Sequence, residues 1–238
     1  MARMFLINGT SGTTSPTIKL SSLCGEQMKK KKIVSVLLPI ACFWMAGCLG
    51  PSMNVRVTLT PTLIDRTYPD KMPANIGLYL SEDFRNYRVT DSTKTLGTTY
   101  DFWNLGSESA GMFEAGLSRV YEKVVVVDEK PPFAKEKTVP LRAVVEPKIE
   151  SFDFKVPAIV VQSWSTRIQY KILVYNPEGK IIWQKSITGV GQVPGSYTRT
   201  LEELGTNPAK PTTAAIIDAT NNLIGAILAS EEMKGLGK

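Results

Sequence analysis

The sequence predicts an α+β domain in which a mainly antiparallel sheet of about six strands carries two helices on one face. Three observations lead there. Residues 164–190 alternate apolar and polar on both sides of Asn176, Pro177, Glu178 and Gly179, which is the pattern of a hairpin. Two segments, one near residues 107–123 and one near the C-terminus, space their apolar residues as helices do. Short alternating or β-branched runs fill the rest, separated by proline and glycine. With 238 residues, 43% of them apolar, the chain can bury one core.

Taken in order, Val55–Thr60 alternates and reads as a first strand, and Pro61, Pro69 and Pro73 punctuate the connection after it. Ile76–Leu80 reads as a second strand, Asn86–Thr90 as a third, and residues 91–104 as a loop. Met112, Phe113, Leu117, Val120 and Tyr121 share one helical face between Ser107 and Lys123, with Ser107 or Ser109 placed to cap it. The run Val124–Val127 suits a buried strand. Beyond an exposed connection at Pro131–Lys137, Leu141–Val145 and Ile149–Phe154 read as one long or bent strand.

The hairpin pairs Trp164–Tyr175 with Lys180–Val190. Its expected register sets Val174 opposite Ile181, Ile172 opposite Trp183, Tyr170 opposite Lys185 and Ile168 opposite Ile187. Arg167, Gln169, Lys171, Gln184, Ser186 and Thr188 then form a wet face, and a slip of one residue would mix the two faces. Gly189–Pro211 reads as a long loop. Pro211 suits a first helical turn, and Ile216, Ile217, Leu223, Ile224, Ile227 and Leu228 line the stripe of a closing helix, read as core against the sheet.

Charge is unevenly placed. Residues 1–47 carry 6 basic residues against 1 acid, whereas residues 48–238 carry 22 against 21. A near-neutral domain argues against a nucleic-acid partner, because phosphate neutralisation supplies most of such affinity. There is no histidine, which excludes imidazole acid–base chemistry, histidine triads and histidine-ligated metals.

The amino-terminal segment has the logic of a secretory signal. Lys29–Lys32 form a cationic region, Ile33–Trp44 a short apolar stretch, and small residues come next. The apolar stretch is too short to span a bilayer, which takes about 20 residues. Residues 1–27 precede this signal without its logic and read as an upstream start-site artefact, the alternative being an extended n-region; residues 28–47 are then the signal peptide.

Met45, Ala46, Gly47 and Cys48 resemble the lipobox of bacterial lipoprotein precursors. That resemblance implies cleavage between Gly47 and Cys48, a diacylglyceryl group on the Cys48 thiol and an acyl chain, commonly palmitate, on its new amino group. Met45 departs from the leucine usual at that position. Cys24 and Cys42 would leave with the signal, so the mature chain would hold no disulfide. Residues 48–54 would form a lipidated tether and 55–238 a single domain at the periplasm or cell surface. In a Gram-negative cell the family's sorting logic passes a chain with Leu49 to the outer membrane, on its periplasmic face. In pattern alone, residues 75–230 resemble YajG-like lipoproteins and the auxiliary lipoproteins of ABC-type transporters.

Chemistry-bearing constellations are few. A serine nucleophile would need a lysine base, and no Ser-x-x-Lys occurs. Glu146 and Glu150 share a strand face, with Asp153 expected on the other, an arrangement ordinary for a solvated sheet. Asp65, Asp70, Glu82 and Asp83 lack EF-hand spacing, so no metal or other cofactor is expected. The glycines of Gly189–Gly195 lack phosphate-loop spacing and read as a bulge and flexible loop. Trp164, Tyr170 and Trp183 read as core rather than groove. The expectation is a membrane-anchored, non-enzymatic envelope lipoprotein that binds a protein partner in assembly or transport. A carrier of hydrophobic ligands and a carboxylate hydrolase are the alternatives.

Overall fold

The computed structural model describes residues 52–60, 70–93, 98–133, 140–157, 163–194 and 207–237, all within the unit Cys48–Lys238. The signal segment, Met45–Cys48, Asp65, Gly195 and residues 134–137 of the expected connection lie outside the described residues.

In chain order the elements are β1 (Ser52–Val55), β2 (Met72–Tyr79), the single-turn α1 (Glu82–Arg85), β3 (Val89–Thr93), β4 (Thr98–Phe102), α2 (Leu105–Val120), β5 (Tyr121–Val127), β6 (Ala143–Lys155), β7 (Ser163–Tyr175), β8 (Ile181–Pro194), α3 (Ala209–Ala229) and α4 (Glu231–Gly235). They build two sheets, ordered β1-β4-β3 and β5-β2-β6-β7-β8.

Among the described residues, the mainly antiparallel sheet of about six strands with two helices is therefore corrected to eight strands in two mixed sheets with four helices. β1–β4, β2–β5 and β2–β6 are parallel, while β3–β4, β6–β7 and β7–β8 are antiparallel. Alternation reveals a hairpin directly, but parallel partners meet only after a crossover, and nothing local in the sequence announces one. β4 lies where residues 91–104 read as a loop.

Three local departures have clear causes. The expected strand Val55–Thr60 ends as regular strand at Val55, although Val55 and Val57 stay buried and Arg56 and Thr58 exposed. Beyond Val55 its partner is a pair of side chains. The Val57 amide donates to Asn104 Oδ1 at 3.1 Å, Asn104 Nδ2 donates to the Val57 carbonyl at 2.6 Å, and the Leu59 amide donates to Glu108 Oε2 at 3.1 Å. Neither expected serine caps α2: Asn104 holds the N-cap position, and Ser109 is buried with its Oγ 2.8 Å from the Tyr170 hydroxyl. The hairpin register moves by two residues, pairing Val174 with Trp183, Ile172 with Lys185, Tyr170 with Ile187 and Ile168 with Gly189. A bulge at Val174/Tyr175 accounts for one of those two residues, and the turn for the other. A shift of two preserves both faces, so alternation picks out the buried set of β7, apart from Leu173, which is buried on the other face.

The expected loop after Gly189 is also corrected, because β8 continues to Pro194. Gly189 and Gly191 face α3 at close approach. A methyl group on Gly189 would run into the Ala215 carbonyl and lie 2.7 Å from Ala219 Cβ; one on Gly191 would run into the Pro211 carbonyl. These glycines seat a helix rather than a phosphate. By length and composition α3 could cross a membrane, but it lies along β7 and β8 with Ala215, Ile216, Ala219, Leu223, Ile224 and Ile227 buried. Its outer side chains also cover the rim of the sheet. The Val190 amide donates to Asp218 Oδ2 at 2.9 Å, and Asn222 Nδ2 donates to the Thr188 carbonyl at 2.9 Å, which occupies edge groups of β8.

One face of the large sheet is thus the core. Ile168, Tyr170, Ile172 and Val174 are fully buried there, and Phe113 meets Tyr170 edge-on at 4.9 Å between ring centroids. The small sheet joins the same core through Tyr100, Phe102, Phe152, Phe154 and Trp164, whose rings stand 4.9–6.2 Å apart. Trp164 and Tyr170 are core side chains as expected, with Trp183 half-buried at the margin.

Candidate functional site

The site grows from a mismatch of strand lengths. β6 runs for 13 residues, but β2 pairs with it only at Ala143, Val144 and Val145. At Tyr79 the chain leaves the sheet, passes Leu80 and Ser81, and turns into α1, whose first turn carries Glu82 and Asp83. From Glu146 onward the inner edge of β6 has lost its neighbour. Pro147, the next residue, has its strand partner only on the other side, at Ile172 of β7. The opening left beyond the carboxyl end of β2 is a cleft of about 310 Å³ lined by Ser81, Asp83, Phe84, Tyr87, Lys130, Glu146, Lys148 and Ile149. Because β5 and β6 flank β2 on opposite sides, the chain changes direction here, and such a switch point is where open sheets leave crevices.

Glu146 is the centre of its chemistry. The side chain is only 1% exposed, and a buried carboxylate needs partners. Lys130 Nζ lies 2.7 Å from Oε1, Lys148 Nζ 3.6 Å from the same oxygen, and the Tyr175 hydroxyl donates to Oε2 at 2.7 Å. Lys130 also stands over the Tyr79 ring, 5.3 Å from its centroid. Burial, then the hydrogen bond and charge of Glu146, push the Tyr175 hydroxyl well above its ordinary value.

The other carboxylates go elsewhere. Glu150 is exposed and accepts from Gln169 Nε2 at 3.0 Å and Ser186 Oγ at 3.3 Å. It sits at a bulge between Ile149 and Ser151, and that bulge corrects the reading of Asp153. The extra residue turns Asp153 onto the same open face, opposite Arg167, and turns Phe152 and Phe154 into the core. Glu146 and Glu150 therefore share a face, as alternation indicates, but share no partner. Asp153 contacts Lys155 at 3.6 Å, and its charge, after burial, helps raise Asp91.

Among the described residues no three histidine, cysteine or acidic side chains converge as a metal site; Glu82 and Asp83 occupy the first turn of α1 and Asp70 is exposed. Gly47 and Cys48, the expected cleavage and lipidation residues, lie outside the described residues. Sequence reasoning missed Lys130, Lys148 and Tyr175. The available signal was Glu146 itself: a carboxylate continuing the apolar run Ala143–Val145 demands cations.

No family profile and no curated protein matches this chain. Among solved structures, a Xanthomonas campestris protein of family DUF330 superposes with a TM-score of 0.45 at 11% identity, covering 77% of this chain and 95% of its own. A presumed lipoprotein from Caulobacter crescentus gives 0.35 at 6% identity, covering 56% and 83%. The PelC dodecamer from Paraburkholderia phytofirmans gives 0.31 at 12% identity, covering 64% and 93%. At these TM-scores the likeness is partial in backbone course, and it assigns no residue and no function.

Proposed function

We propose that this chain is a bacterial lipoprotein, anchored through Cys48, whose domain binds a protein partner in envelope assembly or transport without catalysing a reaction. The observation that carries the reading is the order Lys29–Lys32, Ile33–Trp44, Met45–Cys48, in which each part has the length and composition that export and lipidation require. Several acyl chains on one residue suffice for stable anchoring, where one alone is marginal. Periplasmic exposure and an outer-membrane address come from the same resemblance and from Leu49.

The interior supports a binder over a carrier of hydrophobic ligands. Between the large sheet and α2 and α3 the space is filled by Ile168, Tyr170, Ile172, Phe113, Ile216 and Leu223. Exposed large apolar side chains include Trp103, Val126, Ile181 and Val190, and the last three lie on the edge strands β5 and β8, where partners commonly dock. Glu146 is held by two lysines and a tyrosine hydroxyl, which does not favour the hydrolase.

The test is crosslinking in the native cells, recovery from membranes, and mass spectrometry of the amino-terminal peptide and of attached proteins, with Cys48→Ala beside it. The expected result is an acylated Cys48 and a reproducible partner that disappears with the anchor. Bound lipid without protein would favour the carrier. An unchanged mass and membrane attachment for Cys48→Ala would overturn the lipoprotein reading.

A further inference from the structure

From the cleft beyond β2 we infer a binding site for a small phosphorylated polyol, its phosphoryl group held between Lys130 and Lys148 and its hydroxyls turned toward Asp83. This inference does not depend on the anchor.

The argument begins with charge. Glu146 is already satisfied: Oε2 takes the Tyr175 hydroxyl and Oε1 takes Lys130 at hydrogen-bond distance. Lys148, at 3.6 Å from Oε1, is beyond a good hydrogen bond and keeps its donors. In the sheet Lys148 stands directly opposite Lys171, on the same face, and like charges so placed repel. Among the described residues Lys171 has no ion pair, and Glu150, hydrogen-bonded to Gln169 and Ser186, is not part of the cleft lining. Two ammonium groups thus flank one buried carboxylate, and the β6 side of the cleft carries a surplus of one positive charge.

Geometry narrows the anion. Lys130 and Lys148 both reach Oε1, at 2.7 and 3.6 Å, so their nitrogens are close enough for one tetrahedral anion to touch both. Lysine recognises phosphate as a point charge, whereas flat bidentate capture of a carboxylate calls for arginine. One of the two cations is held in place: Glu146, 1% exposed, fixes the Lys130 head, which also stands over the Tyr79 ring, and Lys148 lies beside the same oxygen with its donors uncommitted. The opposite wall has the opposite character. Asp83 is an acceptor at the start of α1, with Ser81 and Tyr87 beside it. A ligand must therefore be negative at one end and rich in donors at the other, and it must fit about 310 Å³. A polyol phosphate meets all three demands.

The test is calorimetric titration of the full chain, purified in detergent, with glycerol 3-phosphate, glycerol and inorganic phosphate. Glycerol 3-phosphate should bind more tightly than inorganic phosphate, and glycerol should not bind. Lys130→Gln and Lys148→Gln should each weaken both phosphates by roughly ten- to a hundred-fold, as expected for one lost hydrogen bond to a charged group. Asp83→Asn should weaken only the polyol. Lys155→Gln, an exposed lysine on the same strand, should change nothing, and thermal melts of each variant establish that the fold is kept. Binding that survives both lysine substitutions in folded protein would overturn the site. Equal affinity for the two phosphates, or no binding of either, would overturn the polyol phosphate as its ligand.

Discussion

Glu146 shows how one side chain commits its neighbours. Removing the carboxylate leaves two ammonium groups facing each other and the Tyr175 hydroxyl without its acceptor. Glu146→Ala should therefore cost about 2–3 kcal/mol in urea denaturation, while Lys148→Ala, acting on a half-exposed pair, should cost about 1 kcal/mol or less. The tyrosines make a second prediction at this scale. Burial raises Tyr121, Tyr170 and Tyr175 well above the ordinary value of 10.0. A group raised in the folded state is fully stabilising below its unfolded value and loses that contribution as pH climbs past it. Stability should hold to about pH 10 and then fall. Phenolate absorbance should show the fully buried Tyr121 and Tyr170 ionising together with unfolding, and a gradual titration of both in still-folded protein would contradict their burial.

At the scale of elements, α3 on β8 depends on the absence of two side chains. Gly189→Ala and Gly191→Ala press a methyl into the helix backbone, and each should destabilise by about 2–4 kcal/mol in thermal melts. Gly111, on the outer side of α2 with nothing within 4 Å, is the control: Gly111→Ala should stabilise by about 0.5–1 kcal/mol. These glycines also show where the sequence was legible. β7 could be read because its buried and wet faces alternate from Trp164 to Ile172, and α3 because its stripe keeps helical period. Gly189 and Gly191 misled, since a missing side chain carries no sign of whether it serves a flexible loop or a close packing. Asp153 misled for another reason. A bulge reverses every parity beyond it, and only the inward turn of Phe152 and Phe154 betrays the reversal.

Over the whole molecule, the hidden information is the order of strands. β2 lies between β5 and β6, parallel to both, and the cleft exists because β2 stops while β6 continues. Neither fact leaves a periodic trace, so the site was legible only through Glu146. Distance from the membrane is a property at this scale too. Four Cα steps separate Cys48 from the first residue of β1, a reach of at most roughly 15 Å. Inserting a flexible twenty-residue Gly/Ser segment after Gly50 should leave membrane attachment intact. It should also reduce crosslinking to a partner that is met at the bilayer surface, and undiminished crosslinking would place that partner away from the membrane.

The small sheet has a mechanical meaning as well. With an anchor at Cys48, any pull between membrane and domain arrives at the amino end of β1. β1 runs parallel to β4, so tension along the chain loads their hydrogen bonds together, in shear, rather than peeling them off singly. Behind them the Asn104 clasp on Val57 and the grip of Glu108 on Leu59 form a second stop, rooted in the first turn of α2. If the proposed anchor is present, a tug on it is thereby passed to a helix packed in the core.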